Sequence, residues 1–347
     1  MKRYGNLWQK IISMDNLKLA YKKARKGKTW QKSIKVFDKD IEGNLLKIQA
    51  SLINKTFRTS AYNTKTIYEP KKRKIYILPF APDRIVQHAL MNALEPIWTS
   101  FFIFDSYACL LNKGIHRGSL RTMEFIRKNK YCLKCDIAKF YPSIDHDVLF
   151  AMIKRKIKCK DTLQLIQEII YSSPGGKNAP IGNYTSQWFG NLYMNELDQF
   201  AKHVLKVKCY IRYCDDFLFF GNDKKELHRI ALAVEDFLAN TLKLTMSKCN
   251  LFPVKQGVDF LGYRHFRGYI LLRKSTAKRV KRRLKVLPLL FKKGRISLEH
   301  LRASLASTLG WLMWANTYNL ALKLQIDNLT QLCQTNDLVN SQKSPSL

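Results

Sequence analysis

The stretch YIRYCDDFLFF, Tyr210 to Phe220, sets two adjacent carboxylates, Asp215 and Asp216, inside a run that otherwise reads as a buried β-strand. An ionised carboxylate taken out of water without a partner is expensive. A strand–turn–strand resolves the conflict. With the pair at the bend, both side chains reach the rim of a sheet while Ile211, Leu218 and Phe220 anchor the hairpin. One more carboxylate on a neighbouring strand would complete a divalent-cation site. Asp136 is the candidate, because it ends the apolar run YCLKC and a polar turn follows. Oxygens from two strands suit Mg²⁺, which keeps several waters and takes phosphate oxygens as further ligands. An isolated Asp-Asp more often marks a solvated β-turn. The aromatic strand, the second carboxylate-ended strand and the basic chain weigh against that reading here.

The 347 residues carry 61 Lys+Arg against 26 Asp+Glu, a formal net charge of +35. Such a chain repels itself unless it meets a polyanion, and nucleic acid comes before an anionic membrane surface. Aromatic residues at 12% support nucleic acid, since rings stack on bases while Lys and Arg follow phosphates. No apolar run approaches the length of about eighteen residues that a transmembrane helix needs. The N-terminal segment has no continuous apolar core or small-residue cleavage site, so no secretory signal is expected. These features predict a cytoplasmic protein with no membrane partner. The eight Cys are scattered, as in a reducing compartment. Cys132 and Cys135, in CLKC, lack a second ligand pair nearby and are expected to be buried thiols, not a zinc site.

Apolar spacing predicts a helix over about 5–30 and another from Ile34 to about Asn54. KIYILPF reads as a strand, and DRIVQHALMNALEPIW as a helix opened by Asp83 as N-cap and closed near Pro96. GIHRGSL is a basic turn into a short helix. KYCLKCDIAKFYPSID is a strand ending in a polar turn, and 147–172 is helical. SSPGGKNAP is a loop, TSQWFGNLYMNELDQFAKHVLK a long helix, and about Lys224–Leu242 another. Short strands run through LTMSKCNLFPVKQGVDFLGYRHFRGYILL, and basic helices begin near 275. Helices and strands mix without strict alternation, which predicts an α+β protein with an antiparallel sheet.

Taken in order, these blocks resemble a known family. YCDD, Tyr213 to Asp216, resembles the Tyr-x-Asp-Asp box of reverse transcriptases. CDIAKFYPSID resembles their preceding metal-binding motif, an Asp followed five residues later by an aromatic. RKIYILPFAPDRIVQHAL resembles the fingers block, DFLGY the primer-grip hairpin, and SKCNL the Lys-containing segment before it. The resemblance covers about residues 5 to 335. It implies a right-hand polymerase: an N-terminal extension and fingers over 1–105, a palm over 106–262 with a fingers insertion at about 142–180, a helical thumb over 263–335, and a disordered tail over 336–347. Most of the family carries Gln-Gly-x-x-x-Ser-Pro ahead of the long palm helix. This chain has IGNYTSQ, Ile181 to Gln187, continuing into WFGNLYMNELD. That pattern resembles the reverse transcriptases of diversity-generating retroelements.

The resemblance implies a role for each matched residue. Asp136, Asp215 and Asp216, with the Ile137 carbonyl, would hold two Mg²⁺ ions, Mn²⁺ being able to substitute. Tyr141 would lie under the incoming sugar and reject a ribose 2′-hydroxyl. Arg73 and Lys74 would clamp the triphosphate, Lys248 would assist pyrophosphate departure, and Ile181, Gly182 and Gln187 would face the nascent base pair. Replacing Gln by Ile at 181 removes two donors and one acceptor, in keeping with adenine-directed infidelity. Phe260, Leu261, Gly262 and Tyr263 would form the primer grip, with Tyr213 supporting the hairpin near the primer end. His116 and Arg117 are placed in a loop within reach of template or nucleotide. Lys278, Arg279, Lys281, Arg282, Arg283 and Lys285 would bind duplex phosphates. The implied partners are template RNA, RNA–DNA duplex, dNTPs and a small basic accessory variability-determinant protein. The competing readings are a catalytically weak or silent RNA-binding or host-defence relative, another class of bacterial reverse transcriptase, and an RNA-dependent RNA polymerase. The intact Asp136, Asp215 and Asp216 speak against the first, and Tyr141 against the last.

Overall fold

In the computed structural model, which describes residues 3–68 and 72–324, the helix expected over about 5–30 is two helices, Trp8–Ile12 and Met14–Arg25. Ser13 parts them, because its side chain accepts from the Asn16 N–H and caps the second. The stretch expected from Ile34 to about Asn54 divides in the same way. Lys32–Phe37 runs into a tight turn, and Asp40 then caps Ile41–Ile53 by accepting from the Gly43 N–H at 2.9 Å. Met14–Arg25 packs against Ile85–Thr99, whose Ile85, Val86, Ala89, Leu90 and Leu94 are wholly buried. Asp83 does not cap that helix. Its carboxylate instead accepts from the Ser60 N–H at 2.9 Å and the Ser60 hydroxyl at 2.7 Å. The helix ends at Thr99, three residues past Pro96, with Trp98 wholly buried in its last turn.

Two strands, β1 (Asn63–Ile67) and β2 (Arg73–Ile77), form an antiparallel ribbon with Asn63 opposite Ile77. A four-stranded sheet follows, made of β3 (Tyr131–Ile137), β4 (Tyr210–Tyr213), β5 (Asp216–Gly221) and β6 (Met246–Pro253), in the order β4-β5-β3-β6. β4 and β5 are the antiparallel hairpin that the opening stretch predicts, with Tyr213 opposite Asp216 and Cys214–Asp215 at the turn. The 147–172 stretch is two helices, His146–Lys156 and Lys160–Tyr171, the first capped by Asp145. Helices Tyr184–Gln199 and Lys224–Leu242 lie where the periodicity puts them.

Tyr184–Gln199 is buried on most of its faces, and one ion pair ties it to the hairpin. Arg212, wholly buried on β4, donates to both oxygens of Asp198 at 2.7 and 2.6 Å. Its remaining N–H groups reach Asn191 Oδ1 at 3.2 Å, Ser106 Oγ at 3.1 Å and the Cys214 carbonyl at 3.0 Å. All five guanidinium donors are therefore used. Removing one partner of such a pair costs about 3–5 kcal/mol, because the other is left charged and buried.

The chain divides into two units. The first runs to Gly114 and takes in Leu133–Phe219 and Lys225–Asn250; the second comprises Ile115–Cys132, Phe220–Lys224 and the chain from Leu251 on. The second unit holds helix Ile115–Lys128 and an antiparallel sheet of β7 (Val258–Phe260), β8 (Tyr263–His265) and β9 (Ile270–Leu272). Helices Lys274–Lys292, Leu298–Leu312 and Tyr318–Lys323 complete it, with Val280, Leu284, Leu287, Leu301, Leu305 and Leu312 as their core. The architecture is α+β with antiparallel pairing, as the sequence predicts. The expected tail over 336–347 and residues 325–335 of the expected thumb lie outside the described residues. Among the described residues no helix is long and apolar enough to cross a membrane.

Candidate active site

The order β5-β3 puts the ends of two neighbouring strands side by side. Asp216 opens β5, Asp215 sits in the turn before it, and Asp136 is the last residue but one of β3. Lys134 lies 3.4 Å from Asp216 Oδ2, while Asp216 Oδ1 is buried with no hydrogen-bond partner. Burial pushes the Asp216 carboxyl up to about 6; Lys134 opposes the shift, and the charges of Asp136 and Asp215 add to it. Asp136 and Asp215 thus both act electrostatically on Asp216. The Ser247 hydroxyl, on β6, is 3.1 Å from the Asp136 carbonyl oxygen and 3.2 Å from Asp136 Oδ2, which orients that side chain.

A buried, partnerless carboxylate oxygen beside two further carboxylates is the chemistry of a cation site, since a divalent ion would satisfy the oxygen and favour the charged form. Among the described residues, no three His, Cys, Asp or Glu side chains converge closely enough to hold a metal as they stand. Lys134 lies against one oxygen of Asp216. Cys132 and Cys135 are buried thiols, as expected, and Cys135 Sγ lies 3.3 Å from Cys249 Sγ.

Tyr141 follows β3 and packs beside Phe140 with ring centroids 5.1 Å apart. A Cβ added at Gly190 would stand 3.2 Å from Tyr141 Cε1, so Gly190 lets the ring lie against helix Tyr184–Gln199. Burial raises the Tyr141 hydroxyl well above its ordinary value, with Cys214, Cys109 and Asp215 contributing. Cys214 and Asp215 both act on the Tyr141 hydroxyl, which places Tyr141 near the turn that carries Asp215.

Arg73 and Lys74 are exposed at the start of β2. Two residues on, the Tyr76 N–H donates to the Ile181 carbonyl at 2.7 Å. Gly182 has φ +125°, and a Cβ there would meet the Tyr76 carbonyl oxygen at 2.1 Å. Only glycine allows this approach. The structure thus brings the basic start of β2 and the Ile181–Gly182 backbone together. Gln187 is exposed in the first turn of helix Tyr184–Gln199, and Lys248 is exposed on β6 beside Ser247.

The remaining expected residues belong to the second unit. Phe260 and Tyr263 are wholly buried and pair across β7 and β8, with Leu261 and Gly262 as a two-residue turn at φ 54° and 86°. Positive φ at both positions suits the twist of a hairpin. Lys278, Arg279, Lys281, Arg282, Arg283 and Lys285 are all exposed on helix Lys274–Lys292, whose Val280, Leu284 and Leu287 face the core. His116 and Arg117 are not in a loop: they open helix Ile115–Lys128. Sequence reasoning misses Arg212, Ser247 and Lys134. Arg212 carries a signal all the same, because an arginine within an apolar strand demands a buried acid.

The Asp216 shift has a definite pH sign. Its folded value of about 6 exceeds the ordinary 3.8, so the folded state binds more protons between those values and loses stability as pH rises through them. In EDTA, Asp216→Asn is expected to be more stable than the wild type at pH 7.5 by about 2 kcal/mol and to show no such gain at pH 4. Thermal melts at the two pH values check this, and an equal effect at both would contradict it.

A family model described as reverse transcriptase (RNA-dependent DNA polymerase) matches residues 64–265. Protein YkfC of Escherichia coli strain K12 is 24% identical over 254 residues, which span 58% of this chain and 66% of that protein. The retron Ec73 reverse transcriptase of Escherichia coli is 29% identical over 174 residues, 46% of this chain and 50% of that protein. The group II intron-encoded protein LtrA of Lactococcus lactis subsp. cremoris is 25% identical over 177 residues, 48% of this chain and 29% of that protein. The chain therefore spans less than two thirds of the length of the relatives it matches. The family match takes in more than half of this chain, including Asp136, Asp215 and Asp216, and the chain belongs to the reverse transcriptase family.

Proposed function

We propose that the chain is an RNA-directed DNA polymerase that extends a DNA primer along template RNA. The observation that carries this reading is the placement of Asp136 and Asp216 at the ends of neighbouring strands, with Asp215 in the turn before Asp216 and one Asp216 oxygen buried and unsatisfied. Asp136, Asp215, Asp216 and the Ile137 carbonyl would hold two divalent cations, Mg²⁺ or Mn²⁺. When bound, such ions lower the pKa of the attacking 3′-hydroxyl and neutralise charge on the leaving pyrophosphate. Arg73 and Lys74 bind the triphosphate and balance its charge as the α-phosphate is attacked. Tyr141, packed on helix Tyr184–Gln199, presents a fixed ring edge to the sugar and excludes the 2′-hydroxyl of a ribonucleotide. Lys248 delivers a proton to the departing pyrophosphate. The Leu261–Gly262 turn steadies the primer end, and the basic face of Lys274–Lys292, including Lys278, Arg279, Arg282 and Arg283, follows duplex phosphates. In this reading the fingers end near 105, the palm near 262, and the thumb follows.

The finer proposal is a polymerase of a diversity-generating retroelement, copying a template-repeat RNA into adenine-mutagenised cDNA for retrohoming into a variable target gene, with a small basic accessory protein and a cytoplasmic setting. Its support is the IGNYTSQ segment. The close contact of Gly182 with Tyr76 fixes the backbone at this point, so the side chain at 181 and not the backbone varies the chemistry. An Ile there offers the nascent base pair no hydrogen bond, and the geometry of incorporation is held less firmly. The match to the retron Ec73 enzyme makes another class of bacterial reverse transcriptase the second reading.

Primer extension on an RNA template tests the activity. Metal-dependent dNTP incorporation is expected from the wild type and a loss of at least about a thousandfold from Asp215→Ala; wild type without incorporation would overturn the proposal. Sequencing of the products tests the finer reading. Ile181→Gln is expected to lower misincorporation opposite template adenine several-fold, and an unchanged spectrum would remove Ile181 as its cause.

A further inference from the structure

His116 has no part in the chemistry above, yet its ring meets Tyr263, Trp311 and Trp314. Its ring stacks on Trp314 with centroids 4.3 Å apart and planes inclined by 12°. Its Nε2 lies 3.2 Å from the hydroxyl of Tyr263, a residue with no exposed surface. That hydroxyl donates its single hydrogen to the Trp311 carbonyl at 3.2 Å. It can only accept from His116, which fixes the imidazole as the Nε2–H tautomer. Tyr263 in turn stacks on Trp311, with centroids 5.3 Å apart and planes 27° apart. A Cβ at Gly262 would meet Trp311 Cζ3 at 2.8 Å, so the turn lies directly on that indole.

One helical turn further on, the same helix makes a second polar contact with the same strand. The Ser119 hydroxyl is 2.7 Å from His265 Nε2, and His265 Nδ1 is 3.1 Å from the Val258 carbonyl. Residues three apart on a helix share a face, and residues two apart on a strand do the same. His116 and Ser119 thus match Tyr263 and His265. The two contacts differ in where they act: Ser119 holds the middle of the sheet, whereas His116 holds the residue that follows the turn together with both indoles. Burial lowers the His116 imidazole below its ordinary value, which keeps it neutral and able to stack.

We propose that His116 is a positioning residue for the primer end: through Tyr263, Trp311 and Trp314 it fixes the Leu261–Gly262 turn against the helix Leu298–Leu312 and so sets how tightly a primer–template duplex is gripped. This rests on the reading of 260–263 as a primer grip. His116→Ala removes the stack and the hydrogen bond. His116→Phe keeps a flat ring and loses only the bond. Ser119→Ala perturbs the same helix and strand away from the turn.

The test is fluorescence anisotropy of a labelled RNA–DNA primer–template, alongside KM, kcat and run length in primer extension with a duplex trap. His116→Ala is expected to weaken duplex binding about tenfold, raise KM to match and shorten runs, with kcat at saturating duplex little changed. His116→Phe is expected to recover part of the loss, and Ser119→Ala to bind as the wild type does. Unchanged binding in His116→Ala overturns the proposal, as does an equal loss in Ser119→Ala, which would mark a general loosening of the unit. Anisotropy needs no nucleotide addition. A wild type that binds duplex without extending it would therefore sink the polymerase reading, while the binding of His116→Ala would still decide this one.

Discussion

The Arg212–Asp198 pair is the interaction on which the arrangement of the first unit depends. A buried ion pair adds little net stability, because desolvation offsets most of the attraction. What it supplies is direction. The five donors of Arg212 are aimed at Asp198, Asn191, Ser106 and the Cys214 carbonyl, so the segment at 106, helix Tyr184–Gln199 and the turn of the hairpin are held in one register. The turn itself carries Asp215, and Asp216 follows it at once. The same helix receives the Tyr141 ring at Gly190 and begins just after Ile181–Gly182. A single element thus joins the residues assigned to the nucleotide with those assigned to the metal, and Arg212 locks it to the strand.

The charge of the chain works in two directions. Its surplus of Lys and Arg is displayed on exposed faces, above all on Lys274–Lys292, where screening is strong and phosphates can reach it. At the strand ends the local balance reverses. Burial and two like neighbours raise Asp216 even with Lys134 at 3.4 Å. In the proposed polymerase the basic surface would draw a polyanion, and the small acidic centre would favour a divalent cation where the backbone of that polyanion reacts.

Much of this was legible in the sequence where residue type and spacing carry the physics directly. The hairpin was, because charges in an apolar strand have few places to go; so was Asp136, at the end of a strand. The breaks at Ser13 and Asp40 were not, since apolar periodicity runs on through a cap and only the side chain's hydrogen bond marks the boundary. Asp83 looks like an N-cap locally, but Ser60, distant in sequence, takes its carboxylate. His116 fails for the same reason: a histidine after a glycine reads as a loop until Trp314 and Tyr263 are brought to it by the fold. The glycine in IGNYTSQ stands out in the sequence only as part of a motif, and the Tyr76 carbonyl gives a physical reason for it.

The most direct measurement is the rate of template-directed dNTP incorporation by Arg212→Lys, taken where circular dichroism and thermal melts show the variant folded. Lysine keeps the charge beside Asp198 but has three donors on a single nitrogen, and it cannot hold Asn191, Ser106 and the Cys214 carbonyl at once. If Arg212 sets the position of the carboxylate turn, incorporation falls by about a hundredfold while duplex binding persists. A folded Arg212→Lys protein that incorporates at the wild-type rate would contradict the account.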